Sequence, residues 1–171
     1  MKGQIELIVF IFLFIISIIL FTTASIWGRG IFEQNVDVAK IEAAEKFLKD
    51  LDNNILNLIE YGGSRTIDYD IGTTIGLSGG NTIEVNMTTS LQLPRYWINL
   101  TSDTSYIREK LEGSNLRIQV IYPERQNRIE FFTKGPTLTK PDYIIIRKDS
   151  TYVDSGVTVI RIEISFMKYS L

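Results

Sequence analysis

Residues 7–28 carry no charge, and Ser17, Thr22, Thr23 and Ser25 are the polar side chains among residues 7–27. As a helix those 21 residues span roughly 31 Å, about one bilayer hydrocarbon core. Trp27 and Arg29 follow where an aromatic ring and a cation that can reach the headgroups suit a membrane interface. The run exceeds the roughly 7–15 apolar residues of an ordinary cleaved secretory leader. It therefore reads as a segment kept on the protein.

The period then changes. Ile41, Ala44, Leu48, Leu51, Ile55 and Leu58 recur at spacings of 3, 4, 3, 4 and 3, an amphipathic helical stripe. Phe47, Leu56 and Ile59 broaden it, which suits packing on a sheet. Gly62-Gly63 ends the helix. Gly28 and Gly30 are the weak points of one long helix, each costing about 1 kcal/mol relative to Ala; two helices joined there are the alternative.

Beyond Gly63 the pattern alternates. Ile67, Tyr69 and Ile71 against Asp68 and Asp70 predict a half-buried strand. TTIGL and TIEVNMT flank Ser78-Gly79-Gly80-Asn81, a hairpin signal. LRIQVIY, RIEFFT, YIIIR and VTVIRIEISF read as further strands, and residues 101–112 (TSDTSYIREKLE) as a short helix ended by Gly113. The expectation is an α+β fold, with a long N-terminal helix packed on a mostly antiparallel sheet of at least six strands.

Composition narrows the chemistry. The 171 residues have a net charge of −2 and contain neither cysteine nor histidine. That removes disulfides, thiol and imidazole catalysis and the commonest zinc ligands, and leaves no global basic surface for nucleic acid. Residues 33–60 hold seven carboxylates against three lysines, whereas residues 114–171 hold nine Lys/Arg against six Asp/Glu, a complementarity that can act within a chain or between copies. Asp68 and Asp70 share a strand face but lack calcium-loop spacing, and Ser78-Gly79-Gly80 lacks the ending of a phosphate loop. Tyr96-Trp97, beside Pro94 and Arg95, is read as strand-edge core ahead of a binding patch. Asn86-Met87-Thr88 and Asn99-Leu100-Thr101 are glycosylation sequons. No catalytic residue, metal site or cofactor is expected, and the chain is not read as an enzyme.

Glu6 remains, a carboxylate at the margin of the apolar run. Lys2-Gly3-Gln4, then an early glutamate, then a long apolar helix, resembles the class III leader of archaeal type IV pilin-like proteins. The resemblance covers about the first 25 residues. It implies cleavage between Gly3 and Gln4 by a prepilin peptidase, retention of the apolar helix for polymerisation, and a pilin-like lollipop plan. Glu6 stands third after that cut, where the family commonly has its glutamate fifth. Cleavage would leave an ammonium on Gln4, and in a helix bundle this amine could pair with the Glu6 of a neighbouring subunit and set register, an unpaired charge being unfavourable there.

The implied organisation is a leader over residues 1–3, a transmembrane and polymerisation helix over 4–27, an amphipathic extension over 28–62, and a β-rich extracellular head over 63–171. The expected partners are the peptidase, copies of itself or other pilins, and membrane lipid before assembly. The alternative is a single-pass ectodomain that never polymerises, such as an accessory or stator-like component of the archaellum, or an anchored binding module.

Overall fold

The computed structural model describes residues 2–100, 105–125, 127–134 and 140–169, with residues 2–6 as backbone alone. The roles expected of Gly3, Gln4 and Glu6, and the sequon residue Thr101, therefore lie outside what is described. One helix, α1, runs Lys2–Tyr61 and continues through Gly28 and Gly30. The chain divides into two compact units, Met1–Ala39 and Lys40–Leu171.

In the first unit the helix presents apolar side chains all the way round. Leu7, Ile8, Val9, Phe10, Ile11, Phe12, Leu13, Phe14 and Ile15 are consecutive and all exposed. The hydroxyls of this segment turn inward: Ser17, Thr22 and Thr23 donate to the carbonyls of Leu13, Ile18 and Ile19, each at 2.8 Å. That is the arrangement an apolar solvent demands of a polar side chain. This part of the helix is long and apolar enough to cross a membrane.

In the second unit the remainder of α1 packs on two sheets. Ile41, Ala44, Leu48, Leu51, Ile55 and Leu58 are all buried, as is Phe47. The helix stops where Gly62 takes φ 72°, a left-handed value that favours glycine, and returns its N–H to the Leu58 carbonyl at 2.9 Å. Lys148 Nζ donates to the Ile59 carbonyl at 2.8 Å, satisfying one of the last-turn acceptors.

Among the described residues nine strands follow: β1 (Ser64–Asp68), β2 (Thr74–Ser78), β3 (Thr82–Thr88), β4 (Ile98–Asn99), β5 (Tyr106–Glu112), β6 (Asn115–Ile121), β7 (Asn127–Phe132), β8 (Tyr143–Asp154) and β9 (Val157–Met167). They form a four-stranded sheet ordered β1-β8-β9-β7 and a five-stranded sheet ordered β2-β3-β6-β5-β4. Among the described residues these strands pair antiparallel, except β7 with β9, which is parallel. The inner faces of both sheets, among them Ile83, Val85, Ile118 and Val120 from one and Ile144, Ile146, Ile162 and Ile164 from the other, join the helix stripe in one core. The fold is α+β, with the helix packed against mixed and antiparallel sheets.

A polar latch reinforces the packing. Asp52 on α1 accepts from Tyr122 Oη at 2.6 Å and from Ser105 Oγ at 2.7 Å. Tyr122 also meets Phe131 edge to face, with ring centroids 5.2 Å apart.

Three expectations are corrected. Within residues 101–112, the described part is strand β5 and not helix, because it completes a hairpin with β6 through Gly113 and Ser114. The strand read over Ile67, Tyr69 and Ile71 ends at Asp68: the Tyr69 N–H makes one further bond in the same register, to the Asp142 carbonyl, and the chain then turns away through Gly72 at φ 68°; Asp70 lies beyond it. Tyr96 is exposed and is not core, while Trp97 is half-buried just before β4.

Candidate functional site

Alternation along the central strands sends one set of side chains into the core and the other to the far face of the five-stranded sheet. Ile83, Val85 and Met87 on β3 point inward, which leaves Glu84, Asn86 and Thr88 on the outer face. Leu116, Ile118 and Val120 on β6 likewise place Arg117 and Gln119 outward. On β5 the outward set is Arg108, Lys110 and Glu112. The register then aligns Glu84, Gln119, Arg108 and Asn99 in one row, and Asn86, Arg117 and Lys110 in the next.

Glu84, Asn86, Arg108, Lys110, Arg117 and Gln119 of these rows, with Glu112, form a polar network centred on Arg117 and Glu84. The Arg117 guanidinium reaches Glu84 Oε2 at 2.7 Å and Glu112 Oε2 at 3.3 Å. Asn86 Nδ2 donates to Glu84 Oε1 at 2.6 Å, and Gln119 Nε2 donates to Glu84 Oε2. Lys110 Nζ meets Glu112 Oε1 at 3.0 Å. Burial raises the Glu84 pKa, but hydrogen bonds from Arg117, Gln119 and Asn86 outweigh it and hold the carboxyl below its ordinary value. Glu112 is lowered by its bonds from Lys110 and Arg117. Arg108, which donates to Gln119 Oε1 at 3.2 Å, also stacks over Trp97 at 4.1 Å from the ring centroid.

At the β2 and β3 side the network opens into a cleft of about 610 Å³. Its walls are the β1–β2 connection (Ile71, Gly72, Thr73), Thr74, the outer side chains of β3 and β6, and two lysines, Lys40 and Lys140. The chain reaches this arrangement through two backbone bonds. Tyr69 N–H to the Asp142 carbonyl and Asp142 N–H to the Met167 carbonyl, both 2.8 Å, tie the approach to β8 alongside the β1–β2 connection. Thr73 is fixed by a 2.7 Å bond between its hydroxyl and Tyr69 Oη, whose phenol is pushed by burial to about 12. Lys40 stands one residue before the buried Ile41. Lys40 and Lys140 are both exposed, and among the described residues neither forms an ion pair. Both carboxylates of the cleft are already held, Glu84 by Arg117 and Glu112 by Arg117 and Lys110, so the site offers hydrogen bonding and the positive charge of the two remaining lysines.

A second titratable feature faces the other way. Glu109 lies on the inner face of β5 between buried Ile107 and Leu111, and its Oε2 is buried with no hydrogen-bond partner among the described residues. Burial, and the charge of Glu45 on α1, push its carboxyl above the usual value.

The residues singled out in the sequence fall as follows. Trp27 and Arg29 are exposed on α1, Trp27 at 72%. Asn86 is half-buried with its amide engaged by Glu84, whereas Asn99 is exposed on β4. Asp68 is exposed and receives Tyr169 Oη at 3.5 Å. Among the described residues no group of three acidic, cysteine or histidine side chains is placed to hold a metal ion. Sequence reasoning missed the cleft, the Asp52 latch and Glu109. The charged residues at 84, 108, 110, 112 and 117, alternating with apolar ones except at Glu109, were the available signal for a polar outer face, but they do not say which strands adjoin.

No protein-family model matches the chain, and comparison with curated proteins and with solved structures gives no match either.

Proposed function

We propose that this chain is a structural subunit, major or minor, of an archaeal type IV pilus-like surface filament. The observation that supports the reading is the first unit's helix: nine consecutive apolar residues, 7–15, are exposed around its whole circumference. The core helix of a soluble domain would hide at least one stripe, as residues 41–58 do. A surface apolar on every side needs lipid or other such helices around it, and a pilin uses both in turn. The resemblance of Lys2-Gly3-Gln4 and Glu6 to a class III leader supplies the rest. The precursor rests in the membrane as a single-pass protein. Prepilin peptidase cuts between Gly3 and Gln4. The helix then leaves the bilayer for a bundle of its own kind, where the Gln4 ammonium of one subunit meets the Glu6 of the next, and the β-rich head faces outward on the cell surface.

The test is made in the producing cells. Gly3→Val should block processing and leave all of the protein in the membrane fraction. Glu6→Gln should leave processing intact and abolish filaments seen by electron microscopy. Unchanged size and location of the Gly3 variant would instead favour the plain anchored ectodomain. Normal filaments from the Glu6 variant would refute the register role.

A further inference from the structure

We infer that the cleft between the β1–β2 connection and the outer face of β3 and β6 is a binding site for an acidic saccharide, a sugar bearing carboxylate or sulfate groups. The site goes beyond the filament reading and stands independently of it, since it belongs wholly to the second unit.

Volume sets the first limit. About 610 Å³ lies within the 300–1,000 Å³ usual for small-ligand sites, enough for a short oligosaccharide. The lining sets the ligand's polarity. Thr73, Thr74 and Thr88 bring hydroxyls, Asn86 and Asn115 bring amides, and Glu84 and Glu112 bring carboxylate lone pairs beyond those used by Arg117. Ile71 and Met87 are the apolar members of the lining, and Met87 is buried in the core. Among the described residues of the lining there is no aromatic ring on which a nucleobase could stack and Ile71 is the one half-exposed aliphatic side chain, whereas a ring of hydroxyl groups finds a donor or acceptor in nearly every direction.

Charge then selects among sugars. The negative charges of Glu84 and Glu112 are neutralised within the network by Arg117 and Lys110. What remains over the opening is Lys40 from the helix and Lys140 from the approach to β8, two ammonium groups with no ion pair among the described residues. An ammonium is a compact donor that suits carboxylate or sulfate oxygens. The floor is stiff because Glu84 is bonded by three neighbours, so the hydrogen-bonding groups are set before the ligand arrives.

The experiment uses the purified full-length chain in detergent, titrated by calorimetry at low salt. The probes are trigalacturonate for carboxylate, a sulfated heparin disaccharide for sulfate, maltotriose as the neutral sugar, and inorganic phosphate. Binding of trigalacturonate or the heparin disaccharide at least tenfold tighter than of maltotriose and phosphate is expected. The Lys40→Gln, Lys140→Gln double variant should weaken it at least tenfold, while Lys46→Gln, an exposed helix lysine outside the cleft, should leave it unchanged. Equal binding of the neutral sugar, tighter binding of phosphate alone, or loss in the Lys46 variant equal to that in the double variant would each overturn the assignment. Absence of binding by both acidic sugars would overturn it as well. Because all three lysines are exposed, the variants are expected to fold, which their circular dichroism checks. A chain that binds but does not polymerise would separate this site from the filament reading.

Discussion

Removing the Asp52 carboxylate should loosen the helix from the sheets by a measurable amount. Asp52 accepts from Tyr122 Oη at 2.6 Å and Ser105 Oγ at 2.7 Å, and Tyr122 is 2% exposed. Hydrogen bonds to a charged group contribute about 1.5–3 kcal/mol each. The two share one carboxylate and are not independent, so Asp52→Ala should cost about 3 kcal/mol, part of it the buried hydroxyl left without an acceptor. Tyr122→Phe removes one bond and keeps the edge contact with Phe131, and should cost about 1.5–2 kcal/mol. Because the two side chains share this bond, the double variant should fall short of the sum of the singles by about 1–2 kcal/mol. Urea unfolding of the detergent-solubilised full chain, followed by Trp97 fluorescence in a Trp27→Phe background, reads this out. With a urea slope of about 1–3 kcal/mol per molar, Asp52→Ala should lower the midpoint by about 1–3 M. Single variants that add to within about 0.5 kcal/mol, or an Asp52→Ala midpoint equal to that of the parent, would refute the latch.

Two further predictions rest on separate groups. Glu109 has its carboxyl raised above the ordinary 4.5 by burial and by Glu45. The folded state therefore holds a proton that the unfolded state releases, and wild-type stability falls as pH rises from 4.5 through the folded value. Glu109→Gln should raise the urea midpoint at pH 7 and leave it nearly unchanged at pH 3.5; a lower midpoint at pH 7 would contradict the inward placement, with Oε2 buried and without a hydrogen-bond partner among the described residues. N-glycosylation in the producing cells should favour exposed Asn99 over Asn86, whose amide donates to Glu84 at 2.6 Å; glycopeptide mass spectrometry with Asn86 occupied and Asn99 bare would contradict this.

The helical stripe and the β2–β3 hairpin were legible because each obeys a single period. Positions 41, 44, 48, 51, 55 and 58 fit a helix and no strand, and glycines at 79 and 80 adopt the positive φ of a hairpin turn. β5 was misread because Ile107 and Leu111 stand four apart, which places them on one face of either element, and Arg108, Glu109 and Lys110 between them are good helix formers. Pairing with β6 decided it. The parallel β7–β9 contact had no local signature, since Asn127–Phe132 and Val157–Met167 are separated by β8. The cleft was invisible for a similar reason: its walls come from residues near 40, 72, 86, 115 and 140, brought together by strand order and by the Tyr69 to Asp142 bond.

The central claim is filament assembly after leader cleavage, and it is tested most directly by the intact mass and N-terminal peptide of the protein taken from its own cells. The account predicts a chain beginning at Gln4, free or cyclised to pyroglutamate. A chain beginning at Met1 would contradict it, and would make Glu6 an interfacial charge on a simple membrane-anchored ectodomain.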